Sequence, residues 1–259
     1  MTSENSQYAI YPSLQGRKVL VTGGATGIGE AFVTGFAQQG AKVAFFDIQD
    51  EAATALSVHI TAAGHPEPLY RHCDMTDIEA VRNSVAHVID AMHGLDILVN
   101  NAGNDLRHSV EEVTPELWDH LMAVNLRHQF FVTQAAVPAL KESVSGSIIN
   151  MSSIAPLIPT PDLSIYNMAK SAVAAMTRSL GQELGPFNIR VNSVLPGAIL
   201  TERQRRLYMS PEYEHYVSSV QHIKRHILPE EVARLILFLA ADDSAAITSQ
   251  SHVIDAGWI

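Results

Sequence analysis

Tyr166 and Lys170 are the two residues of this 259-residue chain whose types and spacing best suit acid–base chemistry. They stand four positions apart in a stretch with a helical pattern, so their side chains share one face and the ammonium can reach the phenol. A free tyrosine has a pKa of about 10, and a nearby cation favours its phenolate. We therefore expect Lys170 to lower the pKa of Tyr166, so that the phenolate can take a proton from an alcohol.

A tyrosine and a lysine at this spacing also occur as a plain surface pair, and a glycine-rich turn upstream favours the catalytic role. An apolar run, residues 19–21, leads into this turn and then into a helix whose positions Ile28, Phe32 and Phe36 repeat every four residues. Glycines let the backbone approach a ligand closely, and the free amides and dipole of a helix start attract a pyrophosphate. The turn therefore predicts a dinucleotide site, with an ordinary strand-to-helix connection as the alternative.

Asp47 supports the dinucleotide site and indicates which dinucleotide it takes. It ends a second apolar run, residues 42–46, eighteen positions after Gly29. A carboxylate in this place accepts hydrogen bonds from an adenosine ribose and repels a 2′-phosphate. Neither the glycine turn nor the position after Asp47 holds an Arg or Lys that would compensate such a phosphate. We therefore predict NAD rather than NADP as the cofactor, with a helix cap as the alternative role of Asp47.

Taken together, these residues resemble the short-chain dehydrogenase/reductase family over almost the whole chain. The matching motifs, in order, are Thr22-Gly23-x-x-x-Gly27-x-Gly29, Asp74 in Arg71-His72-Cys73-Asp74, Asn101-Ala102-Gly103, Asn125 in Ala123-Val124-Asn125-Leu126, the trio Ser153, Tyr166 and Lys170, and Pro196-Gly197-x-x-x-Thr201. The resemblance implies a nicotinamide-dependent oxidoreductase.

The resemblance also implies a role for each matching residue. The implied NAD contacts are Gly23, Thr26, Gly27, Ile28, Gly29, Asp47, Asp74, Met75, Asn101, Ala102, Gly103, Tyr166, Lys170, Pro196, Gly197, Ile199 and Thr201. The implied catalytic set is Asn125, Ser153, Tyr166 and Lys170. In it Ser153 orients the substrate oxygen, Lys170 also binds the nicotinamide ribose, and Asn125 holds a water that links Lys170 to solvent. Without the resemblance, Ser153 would be a helix-starting residue and Asn125 a core residue.

Short apolar runs alternate with helical patterns along the chain. Strands are expected near residues 18–22, 42–46, 69–73, 96–100, 147–151, 189–195 and 251–254, and the helices between them include one over 115–140 and one over 165–184. This alternation predicts an α/β fold, a single-domain, Rossmann-type doubly wound parallel sheet of about seven strands with helices on both faces. We expect one domain over residues 1–259, with an amino-terminal extension at 1–15 and a substrate lid at about 198–224.

Composition bears on partners and location. The net charge of −10 argues against nucleic-acid binding, and a single cysteine suits a reducing cytoplasm. Neither a signal peptide nor an apolar run of about 20 residues is visible, so we expect a cytoplasmic protein without a membrane partner. His222 and His226 have a helical spacing, but no further ligand completes a metal site. The family resemblance implies a homotetramer.

Five short strings resemble the bacterial aldose 1-dehydrogenases of this family, the D-xylose enzymes in particular. They are residues 71–74, residues 101–108, residues 125–128, the group of Arg203, Gln204 and Tyr208 with residues 211–212, and residues 254–258. A sugar pocket needs many polar groups, because each buried hydroxyl must be matched. The expected substrate contacts are Asn104, Asp105, Arg107, Ser153, Ala155, Tyr166 and Arg203. The resemblance therefore implies NAD-dependent oxidation of an aldose at C1 to the aldonolactone; the polar residues after residue 103 could instead stiffen their loop or contact another subunit.

Other functions stay open at this point. The loop after Ser153 is apolar and holds three prolines, which suits a different aldose or a less polar alcohol. A sugar acid fits if Arg107, Arg127 or Arg203 faces the pocket. A carbonyl reductase that works in the reverse direction would have a basic residue near Asp47 to bind NADPH. In a catalytically silent NAD-binding scaffold at least one residue of the catalytic set would be replaced, but the set is intact.

Overall fold

The computed structural model describes residues 8–158 and 160–259 and contains one seven-stranded sheet whose neighbouring strands are all parallel. The strands are β1 (Lys18–Thr22), β2 (Lys42–Asp47), β3 (Leu69–His72), β4 (Ile97–Asn100), β5 (Gly146–Met151), β6 (Ile189–Pro196) and β7 (Ser251–Ile254). Their order across the sheet is β3-β2-β1-β4-β5-β6-β7. The predicted doubly wound parallel sheet is confirmed.

Nine α-helices of the described residues connect and cover these strands. They are α1 (Gly27–Gln38), α2 (Asp50–Ala62), α3 (Ile78–Met92), α4 (Pro115–Met122), α5 (His128–Lys141), α6 (Ser164–Leu184), α7 (Glu202–Leu207), α8 (Pro211–Val220) and α9 (Pro229–Ala240). Because β1 alternates buried side chains between its two faces, Val19 and Val21 pack into one core with α1, α2 and α9, whereas Leu20 packs into a second core with α3, α5 and α6. Helices therefore cover both faces.

The chain reverses its direction of winding between β1 and β4, which are neighbours in the sheet. The carboxyl ends of the two strands are tied together there, since the Thr22 hydroxyl accepts hydrogen bonds from the amides of Asn101 (3.0 Å) and Ala102 (3.1 Å). Ligands of open parallel sheets bind in the crevice at such a reversal. The fold thus brings the sequence motifs at the ends of β1, β4, β5 and β6 to one place.

The helix predicted over residues 115–140 is wrong in one respect, because it is not a continuous α-helix. A π-helical turn, Ala123–Arg127, separates α4 from α5. Its central residue, Asn125, donates its side-chain amide to the Leu121 carbonyl at 3.0 Å. Inserted π turns re-aim side chains and often occur at functional sites. The period of the apolar residues does not reveal the interruption, since the helical pattern continues on both sides.

The two segments predicted to lie outside the sheet have contrasting structures. Of the extension at residues 1–15, residues 1–7 lie outside the described part; in the remainder, Pro12–Leu14 form a 3-10 turn that buries Leu14. The predicted lid at 198–224 contains α7 and α8, which begin at the capping side chains of Thr201 and Ser210. None of the described helices combines the length and apolar character needed to cross a membrane.

Arg190 of β6 stabilises the carboxyl end of α9. Its guanidinium, only 5% exposed, donates to the Leu239 carbonyl (2.6 Å), the Ser244 hydroxyl (2.8 Å) and the carbonyls of Ala240 and Ala241. The last carbonyls of a helix have no partner within the helix, and a cation there also complements the helix dipole. The hydroxyls of Ser147 and Ser244 also donate to these carbonyls, so Arg190 completes a buried polar cluster at the end of a core helix.

We expect Arg190→Met to lower the free energy of unfolding by about 1 to 3 kcal/mol, because it removes the buried hydrogen bonds of the guanidinium and the side-chain donor of the Ala240 carbonyl. Urea unfolding at a fixed protein concentration measures the change. Arg178→Met, the same substitution at an exposed position of α6, is the control and should change stability by less than about 0.5 kcal/mol. Equal effects of the two substitutions would contradict this role of Arg190.

Candidate active site

A cleft with a volume of about 500 Å³ lies at the carboxyl ends of β1, β2, β4, β5 and β6. Every residue predicted to contact the cofactor lines it, and so do Ser153, Asn104, Asp105 and Arg203 from the other predicted sets. Asn125 lies behind the wall, fully buried. The structure therefore brings the cofactor motifs, the catalytic trio and part of the predicted substrate set into one continuous space.

The glycine turn has the close backbone packing that a dinucleotide site requires. A Cβ on Gly29 would lie 1.8 Å from the Gly23 carbonyl oxygen, so only glycine fits there. The side-chain amide of Asn101 donates to that same carbonyl at 2.8 Å and to the Thr22 carbonyl at 3.1 Å, which holds the turn against the end of β4. Helix α1 begins at Gly27 with its amides facing the cleft. The turn therefore fits a pyrophosphate.

Asp47 lies at the edge of the cleft and is almost fully buried. Its carboxylate accepts hydrogen bonds from the amides of Ala25 (2.9 Å), Ile48 (2.8 Å) and Gln49 (3.1 Å). These bonds join the glycine turn to the residues that precede α2. None of the three amides lies within a helix, so the alternative role of Asp47 as a helix cap is wrong, and its ribose contact stays a prediction. The only Lys and Arg side chains among the described lining residues are Lys170 and Arg203, which belong to α6 and α7 rather than to this end.

Tyr166 and Lys170 face the cleft from the first turns of α6. The Lys170 Nζ lies 5.5 Å from the centre of the Tyr166 ring and donates to the Met151 carbonyl at 2.9 Å, at the end of β5. Ser153 follows that strand, and its Oγ accepts a hydrogen bond from the Ala155 amide at 3.0 Å. The Ser153 hydroxyl also forms a hydrogen bond with Tyr166, which places the two oxygens that would share a substrate hydroxyl next to each other.

The electrostatics of the catalytic pair differ from the expectation that Lys170 lowers the pKa of Tyr166. Burial, reinforced by the negative charge of Asp105, raises the pKa of Tyr166 to about 12, while a Ser153 hydrogen bond and the Arg203 charge oppose this rise. Burial lowers the pKa of Lys170 to about 8, against a raising effect of Asp105. For the protein groups alone the direction predicted for Tyr166 is therefore wrong, because loss of solvation outweighs the Ser153 hydrogen bond and the Arg203 charge.

Asn125 positions the substrate loop. Its Oδ1 accepts from the Asn104 amide at 2.9 Å, and its Nδ2 donates to the Asn104 carbonyl at 2.9 Å. Gly103 packs between these groups, since a Cβ built on it would lie 3.2 Å from the Asn125 Oδ1 and 3.3 Å from the Lys170 Nζ. The loop after β4 is thus held against the catalytic lysine, and the predicted water site on Asn125 stays a prediction.

Asn104, Asp105 and Arg203, three residues of the predicted substrate set, meet in the cleft that Tyr166 and Ser153 also line, and their contact with a substrate stays a prediction. Arg203 of α7 forms an ion pair with Asp105 and donates to the Asn104 Oδ1 at 3.1 Å. Gln204 completes this cluster, because its amide donates to the other carboxylate oxygen of Asp105 at 3.1 Å. The loop after β4 and the lid helix α7 are therefore joined by polar contacts.

Two other predicted substrate residues do not line the described part of the cleft. Arg107 lies with its guanidinium 4.4 Å from the centre of the Tyr208 ring and 5.9 Å from that of Tyr213, so it binds the lid rather than the cleft. Ala155 turns away within a 3-10 turn after Ser153. Pro159, one of the three prolines in the loop after Ser153, lies outside the described residues.

Several residues that line or support the cleft were missed as site residues. Gln49 lines the cleft and donates to the Thr26 hydroxyl at 3.2 Å. Its position in the sequence, two residues after Asp47, could have indicated that it belongs to the cofactor site. His128 is fully buried and contacts the Ala102 carbonyl at 3.1 Å through Nε2; burial lowers its pKa to about 3, so the ring is neutral and donates that bond. Among residues 8–158 and 160–259, no group of His, Cys, Asp and Glu is placed to hold a metal.

A family model described as "Enoyl-(Acyl carrier protein) reductase" matches residues 23–259. The chain belongs to the short-chain dehydrogenase/reductase family. D-xylose 1-dehydrogenase of Caulobacter vibrioides is 46% identical to it, over 96% of this chain and 98% of that protein. A protein of Rhizobium meliloti named "Probable galactose dehydrogenase GalD" is 44% identical, over 99% of each chain.

Solved structures of this family share the fold. A short-chain dehydrogenase from Burkholderia cenocepacia, solved in complex with NADP, superimposes with a TM-score of 0.88 at 33% identity, covering 95% of this chain and 99% of that one. Family membership and the intact catalytic trio make the chain an oxidoreductase that acts on CH–OH groups with a nicotinamide cofactor. The tight glycine turn fits the pyrophosphate of such a cofactor, and the buried Asp47 fits its adenosine ribose.

We expect Asp105→Asn to move the acidic limb of the kcat/KM profile for alcohol oxidation to lower pH. Asp105 raises the pKa of Tyr166, and the phenolate is the active form, so removing the negative charge lets the phenolate form at lower pH. Arg203 remains and acts in the same direction. A pH series of initial rates measures the shift, with Asp90→Asn on the exposed face of α3 as the control. A limb that stays in place or moves to higher pH would disprove this electrostatic role.

Proposed function

We propose that the protein oxidises an aldose at C1 to the aldonolactone and uses NAD as the hydride acceptor. The observation that carries this proposal is a cluster of Asn104, Asp105, Arg203 and Gln204, called here the polar roof, which gathers hydrogen-bonding groups in the same cleft as Tyr166. A substrate with many hydroxyls requires such a set, because each buried hydroxyl needs a partner. The relatives named for D-xylose and galactose support the same substrate class.

The reaction removes a proton from the substrate hydroxyl and a hydride from the same carbon, which becomes a carbonyl. Ser153, whose hydroxyl is hydrogen-bonded to Tyr166 in this structure, donates to the substrate oxygen once the substrate is bound and orients it. The Tyr166 phenolate takes the hydroxyl proton as general base. The cleft would hold an oxidised nicotinamide cofactor, which would supply the hydride acceptor and a positive ring charge that favours the phenolate. Lys170 keeps its ammonium close to the phenol and adds to that effect.

The Lys170 ammonium has hydrogen-bond donors beyond the one that Met151 accepts. One donor of its ammonium is held by the Met151 carbonyl, which leaves two for a ribose hydroxyl and for a path to solvent. Asn125 lies on the other side of Gly103, and its Oδ1 has a lone pair beyond the one that the Asn104 amide uses. We assign this lone pair to a water that carries protons from Lys170, while the rest of the Asn125 amide positions the loop.

Asp47 is the support for NAD. The Ala25 amide of the glycine turn and the Ile48 amide both donate to its carboxylate, so the negative charge is fixed at the end of the cleft that would hold the ribose. A 2′-phosphate there would meet this carboxylate without a Lys or Arg among the described lining residues nearby. The relative solved with NADP is 33% identical to this chain, so we infer the cofactor preference of this chain from its own residues.

A sugar acid is less well matched by the cleft. Of the three arginines that could pair with a substrate carboxylate, Arg107 stacks on Tyr208, and Arg127 donates to the Thr76 carbonyl at 2.7 Å. Arg203 lines the cleft, but Asp105 already neutralises it. A carboxylate would therefore lose hydration without gaining a free cation.

The assembly and location of the enzyme form part of the same proposal. Trp118 of α4 and Phe130 of α5 are large apolar side chains that are 38% and 42% exposed, which suits a contact between copies in a homotetramer. The single cysteine, Cys73, is buried and free, in keeping with a cytoplasmic enzyme.

We expect the purified protein to form NADH with one or more neutral aldoses. Absorbance of NADH reports turnover across D-xylose, L-arabinose, D-galactose, L-fucose, L-rhamnose and D-glucose, with sugar acids and simple secondary alcohols in parallel. Turnover of only a sugar acid or a simple alcohol would keep the chemistry and reject the aldose.

Tyr166→Phe should reduce kcat at least about 100-fold while the affinity for NAD changes little, because only the proton acceptor is lost. Turnover and cofactor binding, the latter by fluorescence titration, separate the two effects. Arg178→Met serves as a control that keeps the wild-type rate. If the phenylalanine variant retained activity, Tyr166 would not be the base.

Asp47→Ala should weaken NAD binding and improve NADP relative to it, because the repulsion of the 2′-phosphate disappears together with the ribose acceptor. The ratio of kcat/KM for the two cofactors measures the switch, and a change of about 10-fold or more is expected. Asp90→Asn provides the comparison for a remote loss of charge. An unchanged ratio would mean that another group selects the cofactor.

A further inference from the structure

We propose that Asp105, held by Arg203 and Gln204, is a clamp for a vicinal diol next to the reacting carbon of the substrate. This inference rests on the proposed function, since it places the hydroxyls of an aldose whose C1 hydroxyl meets Tyr166. It adds a specificity-determining residue that accounts for the choice between neutral polyhydroxy substrates, simple alcohols and sugar acids.

The first step is the position of the carboxylate. Asp105 lines the same cleft as Tyr166 and Ser153, and its side chain is 22% exposed. Its charge acts on both Tyr166 and Lys170, which places it within electrostatic reach of the reacting end. A substrate bound to the phenol therefore brings the substituents of its neighbouring carbon atoms towards this carboxylate.

The second step is how firmly the carboxylate is held. Each of its oxygens has one protein donor, since Arg203 binds Oδ1 and Gln204 binds Oδ2. Arg203 is fixed in turn by the Asn104 Oδ1, and Asn125 holds the Asn104 backbone at both its polar groups. The clamp is therefore oriented before the substrate arrives, so little freedom is lost on binding.

The third step is the capacity that remains. A carboxylate offers about four lone-pair sites, and the two protein donors occupy two of them. One acceptor site on each oxygen is thus left, which matches two hydroxyl hydrogens on adjacent carbon atoms. Because every group bound to Asp105 is a donor, only another donor can enter, and a hydroxyl qualifies whereas a carboxylate does not.

The fourth step is the charge of the cluster. Asp105 and Arg203 neutralise each other, so the clamp attracts neither an anion nor a cation strongly. A simple cyclic alcohol would leave the two free acceptor sites without partners, and desolvating unpaired charged acceptors is costly. The clamp thus favours neutral substrates that carry a diol beside the reacting carbon.

The experiment compares matched sugars that differ by one hydroxyl. We would measure kcat/KM with saturating NAD for D-xylose against 2-deoxy-D-xylose and for D-galactose against 2-deoxy-D-galactose, in the wild type, in Asp105→Asn and in Asp90→Asn. The wild type and Asp90→Asn should favour the complete sugar by roughly 10- to 100-fold, as expected for a hydrogen bond to a charged group. In Asp105→Asn, which replaces an acceptor oxygen by a donor, the preference should fall to within about threefold.

Three results would overturn the clamp. In the first, the wild type oxidises both members of each pair equally well, a comparison that needs no variant. In the second, Asp105→Asn binds NAD like the wild type and keeps the full preference. Both of these results leave the aldose dehydrogenase function standing. In the third, the wild type turns over no aldose, and then the proposed function fails together with the clamp.

Discussion

The side-chain amide of Asn125 holds both backbone polar groups of Asn104, and the substrate end of the cleft depends on this interaction. It keeps Gly103 against the Lys170 ammonium and sets the direction in which Asp105 leaves the loop. The amide can reach the loop because a π-helical turn interrupts the helix between α4 and α5. The π-helical turn is therefore linked, through the buried side chain of Asn125, to the catalytic residues and to the polar roof.

The catalytic pair shows how burial and charge oppose each other in this cleft. Burial works against the charged form of both Tyr166 and Lys170, raising the pKa of one and lowering that of the other. Asp105 raises both, so it preserves the ammonium at the expense of the phenolate. Arg203 offsets Asp105 at Tyr166, which makes the polar roof part of the acid–base system as well as a binding surface.

Much of the fold and of the cleft could be predicted from local patterns. The positions of the five inner strands followed from short apolar runs, because a strand buried on both faces is largely apolar along its length. The edge strands β3 and β7 were also found, although they are only partly buried and contain polar residues. Asp47 and the glycines were found because a dinucleotide constrains the backbone locally. The helix over residues 115–140 was wrong in its continuity, and Ala155 and Arg107 were placed in a cleft that they do not line, because loop directions depend on distant contacts such as the one between Arg107 and Tyr208.

The sequence by itself determined the family, the parallel sheet and the identity of the catalytic trio, since these depend on residue types at short, fixed spacings. Only the tertiary structure decided which polar residues meet in the cleft that Tyr166 lines. Asp105 and Arg203 are 98 positions apart, and they come together because the chain segments after β4 and β6 leave the same edge of the sheet. The tertiary structure also decided the pKa values, because burial is a property of the whole fold. Local spacing names the groups that can react, and packing sets the charge and the neighbours with which they do so.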